Sequence, residues 1–114
     1  MQHPVRITVR GAERSAALEQ AIMQRSQKLE QFFPQLIGLE VTVELEEHSK
    51  HQGNHYVVKL VLQIPGNDVV IDHQRDEDAY VAVRDAFDAA ERKLKAVASR
   101  NRGNDRARRR AGTA

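Results

Sequence analysis

Tyr56-Val57-Val58-Lys59-Leu60-Val61-Leu62-Gln63-Ile64 is followed by Pro65-Gly66-Asn67-Asp68 and then by Val69-Val70-Ile71-Asp72-His73. Tyr56, Val58, Leu60, Leu62 and Ile64 alternate with Val57, Lys59, Val61 and Gln63, the period of a strand with one buried face. Pro-Gly-Asn-Asp is turn chemistry, and Val69 to His73 make a short fourth strand. Asp76, Glu77 and Asp78 then place acids where a helix dipole favours them. Val83, Phe87, Ala90, Leu94 and Val97 step by 4, 3, 4 and 3, one apolar stripe on a helix from about Glu77 to Ser99.

The same periods hold upstream. Val5, Ile7 and Val9 alternate with Arg6, Thr8 and Arg10 in a first strand closed by Gly11. Ser15 is a helix cap, and Leu18, Ile22, Arg25 or Ser26, Leu29, and Phe32 or Phe33 follow at helical spacing. Pro34 stops that helix near Phe32. Leu39, Val41, Val43 and Leu45 alternate with Glu40, Thr42, Glu44 and Glu46 in a second strand with an acidic outer face. Residues 47–55 are polar and read as a loop. The order β-α-β-β-β-α predicts an α+β fold: a four-stranded sheet, three strands in an antiparallel meander, and two helices packed on one face. This order is similar to that of double-stranded-RNA-binding domains, which lack the first strand.

At 114 residues the chain has room for one domain. Residues 1–99 hold 12 basic and 15 acidic residues, net −3; residues 100–114 hold 6 and 1, net +5. The expected organisation is therefore a body over 1–99 and a basic, disordered tail over 100–114. Such a tail on a near-neutral body is a footprint for a polyanion, most often nucleic acid. There is no cysteine, so disulfides and thiolate chemistry are excluded. No apolar run approaches the roughly 20 residues of a membrane helix, and the first residues do not form a secretory signal. A cytoplasmic protein without membrane association is expected.

Catalytic and metal chemistry find little support. His48, His51 and His55 lie close in sequence, but zinc sites ordinarily add thiolates or placed carboxylates, so these read as solvated loop histidines. His73 ends the fourth strand. No nucleophile sits on a recognisable elbow and no glycine cluster forms a phosphate cradle. Glu40, Thr42, Glu44 and Glu46 read as a solvated face opposite Arg6, Arg10 and Lys59. No enzyme, cofactor, metal or small-molecule substrate is expected.

The helices carry more. Arg25 and Lys28 share a face, and Arg92, Lys93 and Lys95 cluster before the tail. Arg84–Asp88, Asp88–Arg92 and Glu91–Lys95 are potential i,i+4 pairs, whereas Arg25, Lys28 and Lys93 have no comparable acid. Aromatics are few and mostly on the apolar stripes, so phosphate contact on structured RNA fits better than base stacking.

At these helices the chain resembles the ribosome hibernation promoting factor and ribosome-associated inhibitor family. The matching residues are Arg25, Lys28-Leu29-Glu30 and Phe32, then Asp76-Glu77-Asp78-Ala79-Tyr80-Val81-Ala82-Val83, Asp88, and Glu91-Arg92-Lys93-Leu94, within residues 5 to about 95. The resemblance implies a translation regulator that binds the small ribosomal subunit in the messenger and transfer RNA channel, against 16S ribosomal RNA, and holds ribosomes idle under stress or in stationary phase. It implies that Arg25, Lys28 and Arg92 face that RNA; charge adds Lys93, Lys95, Arg100 and Arg102. Gln31 and Ala89 stand where the family often has lysine. The length leaves no room for the second domain of the long, self-dimerising form, and a monomeric body is expected. Two other readings are a general polyanion-binding module working through the tail, and a protein-interaction domain using the acidic sheet face.

Overall fold

The computed structural model describes residues 4–47 and 54–112. The elements are β1 (Val5–Arg10), α1 (Ala16–Phe32), β2 (Gly38–Glu47), β3 (Asn54–Ile64), β4 (Asn67–Asp76) and α2 (Ala79–Gly112), the predicted order. The sheet runs β1-β2-β3-β4. β2, β3 and β4 form the antiparallel meander, and β1 returns beside β2 in parallel, Ile7 opposite Val41.

Local chemistry sets the boundaries. Ser15 caps α1, its Oγ accepting from the Leu18 N–H at 3.2 Å. Ahead of Pro34, the Phe33 N–H makes the last bond, to the Leu29 carbonyl at 2.8 Å. The β3–β4 turn shortens to Pro65-Gly66, with Ile64 paired to Asn67 and Gly66 at φ 82°, the residue pattern of a type II turn. Pairing also lengthens the strands: β2 and β3 run to the Glu47–Asn54 pair, and β4 continues through His73 to Asp76 across an irregularity between Val58 and Leu60. His55 therefore stands on β3 opposite Glu46, not in a loop; His48 and His51 lie outside the described residues. The Asp78 carboxylate accepts from the Tyr80 N–H at 2.8 Å and so caps α2.

One apolar layer joins the helices to the sheet. Leu18, Ile22 and Leu29 of α1 meet Leu39, Val41 and Val43 of β2, Val58, Leu60 and Leu62 of β3, and Val83, Phe87, Ala90 and Leu94 of α2. α2 lies over β3 and β4, and α1 packs against α2 and β1. The ambiguous stripe positions resolve to Ser26 and Phe33, both buried. Ser26 is tolerated there because its hydroxyl donates to the Ile22 carbonyl at 2.8 Å.

α2 departs from expectation at its far end. Rather than stopping near Ser99 before a disordered tail, helical backbone continues to Gly112. Arg and Ala are strong helix formers, no proline intervenes, and a helix already nucleated on a core extends by one hydrogen bond per residue. The apolar period ends near Ser99, but the helix does not.

Gly11 joins β1 to α1 at φ 76°, and a Cβ there would sit 2.8 Å from the Leu45 carbonyl oxygen. Gly11→Ala is expected to destabilise the protein by about 1–3 kcal/mol, through left-handed strain and that clash. A melting temperature within a degree of wild type would show that the β1 end relaxes freely.

Candidate nucleic-acid interface

α1 and α2 lie side by side, and the groove between them is lined by Arg25, Lys28, Leu29 and Phe32 from α1 and by Phe87, Asp88 and Glu91 from α2. Leu29 and Phe87 are core residues, so the groove floor is fixed by the same packing that holds the sheet. Its volume is about 220 Å³, smaller than the roughly 300–1,000 Å³ of small-molecule pockets. This is a surface to lay against something.

Phe32 is 41% exposed because its neighbour Phe33 takes the core position. Lys95 reaches over from α2, its Nζ 5.4 Å from the Phe32 ring centroid and 3.7 Å from Glu91 Oε1. Both are exposed contacts, worth well under about 1 kcal/mol in the ion pair and about 0.5–1 kcal/mol over the ring. They orient the ammonium without neutralising the face. Arg25 and Lys28 have no ion pair or hydrogen bond among the described residues. Arg92 is exposed beside Gln74, Asp85 and Asp88.

The structure separates the sequence candidates. Arg25, Lys28 and Lys95 gather at the α1–α2 groove, whereas Arg92 stands on the outer side of α2, toward Gln74 of β4. Lys93 is turned to the other flank, where its Nζ donates to the Val70 carbonyl of edge strand β4 at 3.1 Å, so it is not the unpaired cation its sequence neighbours suggest. A lysine over a strand edge also blunts pairing with another chain. Arg100 and Arg102 stand on the continuing helix, and their side chains lie outside the described residues. Glu91–Lys95 forms as expected. Arg84 instead pairs with its neighbour Asp85, at 3.2 Å, and among the described residues no ion pair joins Asp88 to Arg84 or Arg92.

Sequence reasoning missed three members. Asp88 and Glu91 face Arg25 and Lys28 across the groove, which helical spacing within one helix cannot show. Phe32 is the third; the doubled Phe32-Phe33, with one place on the stripe, was the available signal.

On the opposite face of the sheet the acids of β2 are interleaved with bases. Arg6 lies opposite Glu40, their charged atoms 4.0 Å apart, and Arg75 Nη2 is 3.7 Å from Glu46. Lys59 stands opposite Thr42. Among the described residues no group of three metal-ligating side chains gathers, and no helix is long and apolar enough to cross a membrane.

The sequence profile of the sigma 54 modulation protein / S30EA ribosomal protein family matches residues 5–102, β1 to just past the packed part of α2. The chain belongs to that family. Its members are ribosome-associated factors. Among solved structures, a ribosomal subunit interface protein from Coxiella burnetii superposes with a TM-score of 0.73 at 14% identity, covering 84% of this chain and 98% of that one. The Protein Y N-terminal domain from Thermus thermophilus gives 0.63 at 21% identity, covering 81% and 94%. At these identities the likeness is one of fold. No curated protein matches the sequence. The family match carries beyond Ser99, where the sequence had suggested the body ends.

Proposed function

We propose that this family member binds the small ribosomal subunit in the messenger and transfer RNA channel, against 16S ribosomal RNA, and keeps ribosomes inactive under stress or in stationary phase. The observation that carries the reading is the α1–α2 face: Arg25 and Lys28 line the groove between the helices, Arg92 stands exposed on the neighbouring side of α2, and among the described residues none of the three makes an ion pair. Cations held without a partner on packed helices are pre-organised for phosphates, and folded RNA is recognised largely through its backbone and shape. Phe32 adds an exposed ring beside them. The Coxiella burnetii neighbour, a ribosomal subunit interface protein, supports a ribosomal partner.

The test is a sucrose gradient of stationary-phase lysate at increasing salt. The protein is expected to run with 30S or 70S particles and to leave them as salt rises. Each phosphate contact contributes a log–log slope of about −0.7 to −0.9, so three contacts give roughly −2 to −3. Free sedimentation at low salt with ribosomes intact would sink the proposal.

A further inference from the structure

α2 runs on as a helix well beyond Ala98, the last of the described side chains packed against the core. Leu94 is buried, and Val97 and Ala98 are partly buried against the core. From Arg100 to Gly112 the only apolar residues are alanines, so this part of the helix has no face to pack on the sheet. The 34 residues of α2 span about 51 Å at 1.5 Å each, in a molecule whose long dimension is 66 Å.

Helical register gives the extension a side. Positions 92, 95, 99, 102, 106 and 109 step by 3, 4, 3, 4 and 3 and therefore lie along one side of the α2 cylinder. They are Arg92, Lys95, Ser99, Arg102, Arg106 and Arg109: five cations, one hydroxyl and no acid. Lys95 identifies that side, because its ammonium meets Phe32 of α1. The row thus passes the groove that holds Arg25 and Lys28 at Lys95 and continues along the C-terminal part of α2. From Lys95 to Arg109 it advances roughly 21 Å.

We propose that the extension of α2 is a rigid basic rail that follows the sugar–phosphate backbone of a double-helical RNA segment next to the one met by the body. The proposal rests on the reading of the α1–α2 face as RNA-facing and assigns to the extension a site of its own. The row contains no apolar residue, so it lacks the i, i+3, i+4, i+7 anchors by which an amphipathic helix docks in a protein groove. It contains arginines, whose guanidinium forks match phosphate oxygens. Arg102–Arg106 and Arg106–Arg110 are like charges at i,i+4, and Gly103 is a poor helix former. Both features weaken the helix by itself, and a polyanion laid along the row removes the first. Duplex RNA supplies a regular track of phosphates; an acidic protein segment would have to match the row by chance.

Gly103 separates rail from loose arm without changing charge. Gly103→Pro breaks the helix within the extension, Gly103→Ala strengthens it, and truncation after Ser99 removes it. Each protein is titrated with a short blunt RNA duplex across a salt series, with poly-glutamate as the acidic-protein probe and 30S subunits in parallel. Relative to wild type, Gly103→Pro should bind the duplex about tenfold more weakly at moderate salt, with a slope shallower by about 2, as when two or three phosphate contacts are lost. Gly103→Ala should bind at least as tightly as wild type. Equal binding by the proline and alanine variants would overturn the rail in favour of an unstructured polyanion arm. Poly-glutamate binding as tight as duplex binding would assign the row to an acidic protein. Proline-sensitive duplex binding without any 30S association would uphold the rail and overturn the ribosomal reading. Normal 30S binding with no duplex affinity would do the reverse.

Discussion

Arg92→Glu combined with Lys28→Glu is expected to abolish ribosome association while leaving circular dichroism unchanged. Both side chains are exposed and neither makes an ion pair or hydrogen bond among the described residues, so neither contributes to the fold. A hydrogen bond to a charged partner is worth about 1.5–3 kcal/mol, and reversal adds repulsion from phosphate. Two such losses correspond to at least about a hundredfold weaker binding. The measurement is co-sedimentation with 30S subunits at fixed low salt. Normal association by a correctly folded double variant would move the binding site off the two helices and favour the polyanion-module reading.

Ile22→Ala should have the largest effect on stability. Ile22 is fully buried, one turn before Arg25 on α1, and belongs to the core that holds the helix in place. Truncating such a side chain costs about 2–5 kcal/mol through lost burial and the cavity left behind. For a domain of this size the melting temperature should fall by roughly 10–30 °C. Because the same turn presents Arg25 and Lys28, ribosome binding should weaken as the helix loosens. A fall of under about 5 °C would show that α1 is anchored mainly elsewhere.

Much of this was legible from residues alone because it depends on short-range chemistry. Leu39, Val41 and Val43 against Glu40, Thr42 and Glu44 specify a strand and its two faces. Ser15 and Pro34 mark boundaries by hydrogen-bonding and backbone restriction where the structure has them, while the Pro65-Gly66-Asn67-Asp68 turn is narrower than its residue types suggest, Asn67 and Asp68 belonging to β4. Ends set by pairing were less visible. β4 grows from five residues to Asn67–Asp76 because β3 offers partners along its whole length, and a polar stretch such as His73-Gln74-Arg75 carries no period that announces this. The end of α2 lies beyond the sequence expectation for a related reason: periodicity reports an apolar face, and the sequence past Ser99 has none.

The candidate site divides along the same line. Residue type and a fixed 3.6-residue turn suffice to put Arg25 and Lys28 on one helix face, to cluster Arg92, Lys93 and Lys95, and to place a basic segment after them. That Lys95 turns to Phe32 and the α1 groove while Lys93 turns to Val70 on the sheet edge, and that Asp88 and Glu91 stand across from Arg25 and Lys28, follows from the packing of the elements. The physical reason is that local spacing fixes angles around one helix axis, whereas the rotation of that helix against its neighbours is set by which side chains fill the shared core: here Phe87, Ala90 and Leu94 pack inward and send adjacent lysines to opposite flanks.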